Sequence, residues 1–129
     1  MVGVCSCLQR QKGTGSVVGL GAYFPKDSVR LVSGTFNTVV RPPDSGAKLS
    51  FHFCPTCGSS TFWEGGYSRA DVRGVAVGSF ADSSFPPPQI AIYTESQHPW
   101  VTFPAGTMRF ETEPTETEML ALIDKLRGS

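Results

Sequence analysis

Four cysteines stand in two close pairs, Cys5-Ser6-Cys7 and Cys54-Pro55-Thr56-Cys57-Gly58. Thiols at these spacings can grip a soft divalent metal or do redox chemistry. The second pair has the form of a zinc knuckle: proline presets the bend, the two sulfurs converge, and the glycine can take positive φ while backbone N–H groups point at the thiolates. The first pair poses a geometric problem. Residues i and i+2 of a strand point the same way, yet a flat pleat does not fold both sulfurs onto one ion, so Cys5 and Cys7 must sit on a bend. A C-x-C and a C-x-x-C together would close a tetrahedral zinc site with sulfur at about 2.3 Å and no open position, which is the character of a structural centre.

Two histidines invite attention as spare ligands, His52 two residues before Cys54 and His98 before Pro99-Trp100. A lone histidine beside a strand is more often hydrogen-bonded or exposed, and that is the expectation for both. No serine, histidine and acid arrangement is apparent, nor any phosphate loop or dinucleotide fingerprint. The nine phenylalanines with Trp63 and Trp100 read as core, because no lysine or arginine interleaving makes them a stacking platform for bases.

The elements that must position the sulfurs are short β-segments, at 16–23, 29–32, 36–40, 48–53, 61–64, 72–77 and 89–94. Their spacing predicts antiparallel sheets. Proline-bearing stops at 24–27, 41–46 and 85–88 separate strands rather than domains. One helix is expected: Thr115-Glu116-Thr117-Glu118 forms a capping box after Pro114, an apolar stripe follows in Met119, Leu120, Leu122, Ile123 and Leu126, and Gly128 supplies the stop. The stripe predicts packing rather than chemistry. The fold class is mainly β and antiparallel with one C-terminal helix.

The 129 residues suit a single domain spanning 1–129. Eleven basic and eleven acidic residues leave no net field, so neither nucleic acid nor an anionic membrane is expected as a partner. No apolar run approaches the ~20 residues of a membrane helix. Residues 1–10 lack the apolar core of a secretory signal, so a cytoplasmic location is expected. A reducing compartment disfavours structural disulfides and turns paired cysteines toward metal or redox work.

With these motifs in hand, the chain resembles the glutathione-dependent formaldehyde-activating enzymes and the related centromere protein V. The family motif C-H-C-x-x-C-x-[KR]-x-[ST]-G-S is similar to residues 5–16, and F-C-x-x-C-G-S is similar to Phe53-Cys54-Pro55-Thr56-Cys57-Gly58-Ser59. The later Val77-Gly78-Ser79-Phe80-Ala81-Asp82, His98-Pro99-Trp100 and Phe103-Pro104-Ala105-Gly106 follow in family order. The resemblance implies a zinc-ribbon-like β-tent fold and a carbon–sulfur lyase acting on glutathione adducts of small aldehydes. It also implies two zinc ions, with Cys5 and Cys7 at the catalytic position and Cys54 and Cys57 in a structural site.

Two departures bear on that implication. The family's earlier C-x-C segment is missing, since Cys5 comes after only four residues, so the expected domain is amino-terminally short. The third thiolate of the catalytic motif falls on Arg10, which stays protonated and has no lone pair to give. Either Cys5, Cys7, Cys54 and Cys57 gather around one structural zinc, which is slightly preferred, or each pair remains half a site. Structural zinc contributes about 10–16 kcal/mol with four good ligands, most of which a two-thiolate site forfeits. The Arg10 pocket would instead hold an anionic carboxylate, aided by Lys12 and the backbone of Thr14-Gly15-Ser16. The expectation is thus a zinc-dependent lyase acting on a glutathione-like thiol adduct, impaired by Arg10. The competing one is a non-catalytic module with one zinc that binds a protein partner, with a homodimer as a way to cover an exposed sheet edge.

Overall fold

The computed structural model describes residues 1–41, 48–65 and 72–127, except for the side chains of 123, 126 and 127. In chain order its elements are β1 (Val2–Cys5), α1 (Leu8–Thr14), β2 (Gly19–Pro25), β3 (Asn37–Arg41), β4 (Leu49–Phe53), β5 (Ser60–Gly65), β6 (Val72–Ala76), β7 (Ile90–Ile92), β8 (Met108–Arg109) and α2 (Glu116–Arg127). The architecture is the mainly β, open-sheeted β-tent type expected. Two compact units divide it, residues 1–20 with 86–129 and residues 21–85. Among the described residues no helix is long and apolar enough to cross a membrane.

In the 21–85 unit the strands run β3-β4-β5-β6-β2, every neighbour antiparallel. Trp63 is the large buried side chain here, 5% exposed. It has room because its cross-strand partner is Gly74 and because Gly21 also lies under the indole. A Cβ on Gly21 would come 2.5 Å from Trp63 Cζ2. Tyr23 meets the indole edge-on at 6.1 Å and Phe51 lies 5.9 Å away.

A polar chain crosses the same strands. Thr38 Oγ1 lies 2.8 Å from His52 Nδ1, and His52 Nε2 lies 3.1 Å from Glu64 Oε1. Arg73 Nε donates to Glu64 Oε2 at 3.0 Å, and Arg73 Nη1 to the Val29 carbonyl at 2.6 Å. Thr38 stands opposite His52 in the ladder, so the alternation of strand side chains sets the contact. His52, 6% exposed, packs against the rings of Phe36 and Phe62 at 4.7 and 4.4 Å.

The other unit pairs β1 with β7 and β7 with β8, both in parallel. Parallel neighbours need a long crossover, and more than eighty residues of chain separate β1 from β7. Val2 and Val4 alternate into the interior, and Ile90, Ala91 and Leu122 of the same unit are likewise buried. The capping box of α2 is present: Glu118 N donates to Thr115 Oγ1 at 3.2 Å, and Thr115 N to Glu118 Oε2 at 2.8 Å. Leu122 packs at 4% exposure, whereas Leu120 is 48% exposed. Ile123 and Leu126 of the expected stripe, the Gly128 stop and residues 42–46 of the proline-rich turn lie outside the described side chains or residues.

Three expectations need correction. No strand forms at 29–32: after Pro25 the chain makes a 3₁₀ turn, and Val32 is left 85% exposed. Trp100 is 71% exposed, Phe80 42% and Phe36 36%, so these three expected core aromatics are not core. The short β1, α1 and β8 were not expected, since two to seven residues give too little periodicity to read.

Candidate functional site

The Cys5-Ser6-Cys7 segment is where a strand becomes a helix. Ser6 N extends the β1–β7 ladder by donating to the Ile92 carbonyl at 3.1 Å. Cys7, at φ −62° and ψ 151°, then caps α1: its Sγ accepts the Arg10 N–H at 3.4 Å and its carbonyl accepts Gln11 N at 3.0 Å. This is the bend that C-x-C spacing demanded. The Cys5 thiol is hydrogen-bonded to the Cys7 sulfur, which together with burial drives its pKa far above the ordinary thiol value. The nearby Arg10 charge pulls the other way without prevailing. In the absence of a metal these contacts favour the protonated form of Cys5.

Arg10 is half-buried, its guanidinium laid against Gly19 at the start of β2. Gln11 clamps the junction: its Nε2 donates to the Ser6 carbonyl at 2.8 Å and the Ser96 carbonyl at 3.1 Å, and its Oε1 lies 3.0 Å from His98 Nε2. The His98 ring meets Trp100 edge-on at 6.0 Å. Lys12 is exposed in the last turn of α1, and being two residues from Arg10 it lies on a different face. Gly15 ends the helix at φ 71° with its N–H on the Gln11 carbonyl at 2.9 Å. The Ser16 N–H is taken by Thr14 Oγ1 at 3.1 Å, and that hydroxyl donates to the Arg10 carbonyl at 2.9 Å. The loop's N–H groups thus serve the helix end, and the cationic chemistry of the junction falls to Arg10.

Cys54 and Cys57 lie in the turn between β4 and β5. Cys54 N donates to the Ser59 carbonyl at 2.9 Å, and Gly58, at φ 77°, donates to the Cys54 carbonyl at 2.8 Å. The positive φ expected of Gly58 is realised. Cys57 is exposed and its Sγ lies 3.1 Å from Ser59 Oγ. Hydrogen bonds from the Ser59 side chain, the Ser59 backbone and then Cys54 hold the Cys57 thiol below its ordinary pKa.

The expected zinc is not supported. Among the described residues, no group of three or more His, Cys, Asp or Glu side chains is placed to hold a metal ion. This corrects the assignment of Cys5, Cys7, Cys54 and Cys57 as a ligand set, whether around one zinc or two. Beside Cys5 the junction supplies the Arg10 guanidinium, a cation with no lone pair to give, rather than a further donor. The histidines do not complete a site. Both ring nitrogens of His52 face Thr38 and Glu64, and His98 Nε2 faces Gln11, as expected of hydrogen-bonded histidines.

The sequence reading missed Gln11, Gly19 and Ser6. Ser6 is fully buried, and its hydroxyl has no hydrogen-bond partner among the described residues. Each gains its role through a residue distant in the chain or through packing, which motif spacing does not encode. Thr38, Glu64 and Arg73 were missed likewise, although period-two alternation in adjacent strands was a signal that could have aligned them.

A family profile described as glutathione-dependent formaldehyde-activating enzyme matches residues 1–96. No curated protein matches the chain.

Proposed function

The chain belongs to the glutathione-dependent formaldehyde-activating enzyme family, and on that basis we propose that it binds a glutathione-type thiol or its hydroxymethyl adduct at residues 5–16. The observation that carries this reading is Arg10, which puts a cation beside Cys5 at the position of the family's third thiolate. A guanidinium pairs with carboxylates in a bidentate, charge-assisted manner, and a glutathione-type ligand brings carboxylates. Lys12, exposed nearby, adds attraction at longer range. Thr14, Gly15 and Ser16 shape the loop that follows.

The chemistry of the junction favours binding over turnover. Adding a thiol to formaldehyde forms a carbon–sulfur bond, takes the thiol proton away and delivers a proton to the carbonyl oxygen. Cys5, kept as a thiol, is a poor acceptor for that first proton, and His98 Nε2 is engaged by Gln11. The reading therefore keeps the family's ligand and gives up most of its carbon–sulfur lyase activity. A reducing, cytoplasmic setting suits four cysteines that remain thiols.

Calorimetric titration with glutathione tests this. Binding is expected, and Arg10→Gln should weaken it about tenfold, the loss of one charge-assisted contact. Adduct formation from formaldehyde and glutathione should proceed no faster with protein than without. Absence of binding, or equal affinity in the variant, would remove the proposal; acceleration of the adduct reaction would replace it by catalysis.

A further inference from the structure

We infer that the outer edge of β3 is a self-association surface, where a second copy of this chain lays its own β3 antiparallel and extends the sheet of the 21–85 unit across a two-fold axis. β3 ends the strand order of that unit, and its ladder with β4 runs from Asn37 against Phe53 to Arg41 against Leu49. Its other edge pairs with no strand among the described residues, so it presents a row of main-chain donors and acceptors. The segment entering β3 does not cover that edge. Its Val29 carbonyl is held by Arg73 of β6 and its Phe36 ring lies against His52 of β4 and Phe62 of β5, contacts that carry it over the face of the sheet. The strand itself is apolar and open on both faces: Val39 is 40% exposed and Val40 56%. Edge strands are ordinarily guarded by lysine, proline, a bulge or an inward charge, and Asn37-Thr38-Val39-Val40, in continuous register with β4, has none of these.

The residues of the strand favour a copy of itself as the occupant. In a register centred on Val39, Val39 faces the second copy's Val39, Thr38 faces its Val40, and Asn37 faces its Arg41. All residues of β3 then pair, and each pair joins positions an even number apart, so those whose N–H and C=O point outward meet others that do the same. The two Arg41 cations fall at opposite ends of the shared ladder, each across from an uncharged asparagine, rather than against each other. β-Branched side chains meet on both faces, a favourable cross-strand pairing. Val39 stands opposite Phe51, and Phe51 opposite Trp63, so the valine pair prolongs that row. The contact is isologous: it uses both outer edges and stops at two chains. An unrelated extended segment would also satisfy the main chain, but the separated charges and matched valines come with the copy by symmetry.

Sedimentation velocity of the full chain over a wide concentration range tests this, with amide hydrogen exchange at residues 37–41 measured alongside. A dimer is expected as concentration rises, with exchange at 37–41 slowing as it forms. Val39→Lys sets a cation against its own copy and should raise the dimer dissociation constant at least about tenfold, and Val39→Glu should do the same. Mixing the two variants should restore association, because lysine then faces glutamate. A wild type that stays monomeric, a dimer whose 37–41 amides exchange as in the monomer, a dimer indifferent to either charge, or a mixture no tighter than the single variants would each overturn the inference. Exchange at 37–41 that slows only when a foreign extended peptide is added would assign the edge to another protein and overturn it as well. The wild-type measurement requires no substitution, so misfolding of a variant would not obscure it. Sedimentation reads the β3 edge and the glutathione titration reads Arg10, so either proposal can fail alone.

Discussion

The Arg10 guanidinium lies on the bare Cα of Gly19, where a Cβ would come 2.5 Å from Nε and 2.6 Å from Nη2. Position 10 can therefore carry a long, inward-lying cation because β2 begins with glycine. Gly19→Ala should push the guanidinium aside. The clashing atoms are the far end of a flexible side chain, so the stability cost should stay below about 1 kcal/mol. Glutathione affinity should nevertheless fall by about as much as expected for Arg10→Gln. Unfolding by urea and calorimetry on the same variant check both halves, and undiminished binding would count against Arg10 as the anchor.

Gly21→Ala presents the opposite case. Its Cβ would meet the Trp63 ring, 2.5 Å from Cζ2 and 3.0 Å from Cη2, and a buried indole packed by Tyr23 and Phe51 has no room to yield. Overpacking of this kind costs about 1–3 kcal/mol. A thermal midpoint lowered by several degrees with a red-shifted Trp63 emission is the expected result. Unchanged stability would show that the sheet can shift to admit a methyl group.

Ser6→Ala should stabilise the protein. The hydroxyl is fully buried with no partner among the described residues, and a buried unsatisfied polar group costs about 1–3 kcal/mol. Alanine removes the group and opens little space. A gain of about 1 kcal/mol in urea unfolding is expected. A loss would mean that a bound water or ligand satisfies the hydroxyl.

What the sequence made legible follows the range over which each signal acts. The α2 capping box spans four residues, and the Gly58 turn five, so composition alone placed them. The bend at Cys5 and Cys7 followed from the geometry of a strand. Metal binding did not follow, because it depends on whether a third or fourth donor arrives from elsewhere, and among the described residues none does. The 29–32 segment failed for a related reason. β-branched residues satisfy strand propensity, but a strand exists only if a neighbour pairs with it, and Val32 stays exposed instead. Gln11 was invisible because its partners at Ser96 and His98 are some 85 residues away.

Gln11→Ala tests that long-range clamp. The substitution removes hydrogen bonds to Ser6, Ser96 and His98, so α1 should lose its tie to the segment after β7. Each such bond contributes about 0.5–1.5 kcal/mol net. Amide hydrogen exchange should quicken in α1 and at residues 94–98, with the 21–85 strands unaffected. Exchange that accelerates equally everywhere would show that Gln11 supports the whole fold rather than the junction.

Glu64 gives the fold a dependence on acid. Burial alone would push its carboxyl up, but hydrogen bonds from Arg73 and His52, with their charge, outweigh burial and hold it below 4.5. A carboxyl depressed in the folded state contributes stability that is complete above its unfolded pKa and is lost as pH falls through the folded one. Wild-type protein should therefore lose this stability as pH falls through the ordinary carboxylate range toward the lower folded value. Glu64→Gln lacks the charge that Arg73 Nε and His52 Nε2 face at 3.0 and 3.1 Å, and should be about 1–2 kcal/mol less stable at neutral pH. The gap should narrow toward low pH, because protonated Glu64 and glutamine are both neutral. Urea titrations of both proteins across the acid range measure it, and a gap that stays constant with pH would place the effect of the substitution in packing rather than in the carboxylate.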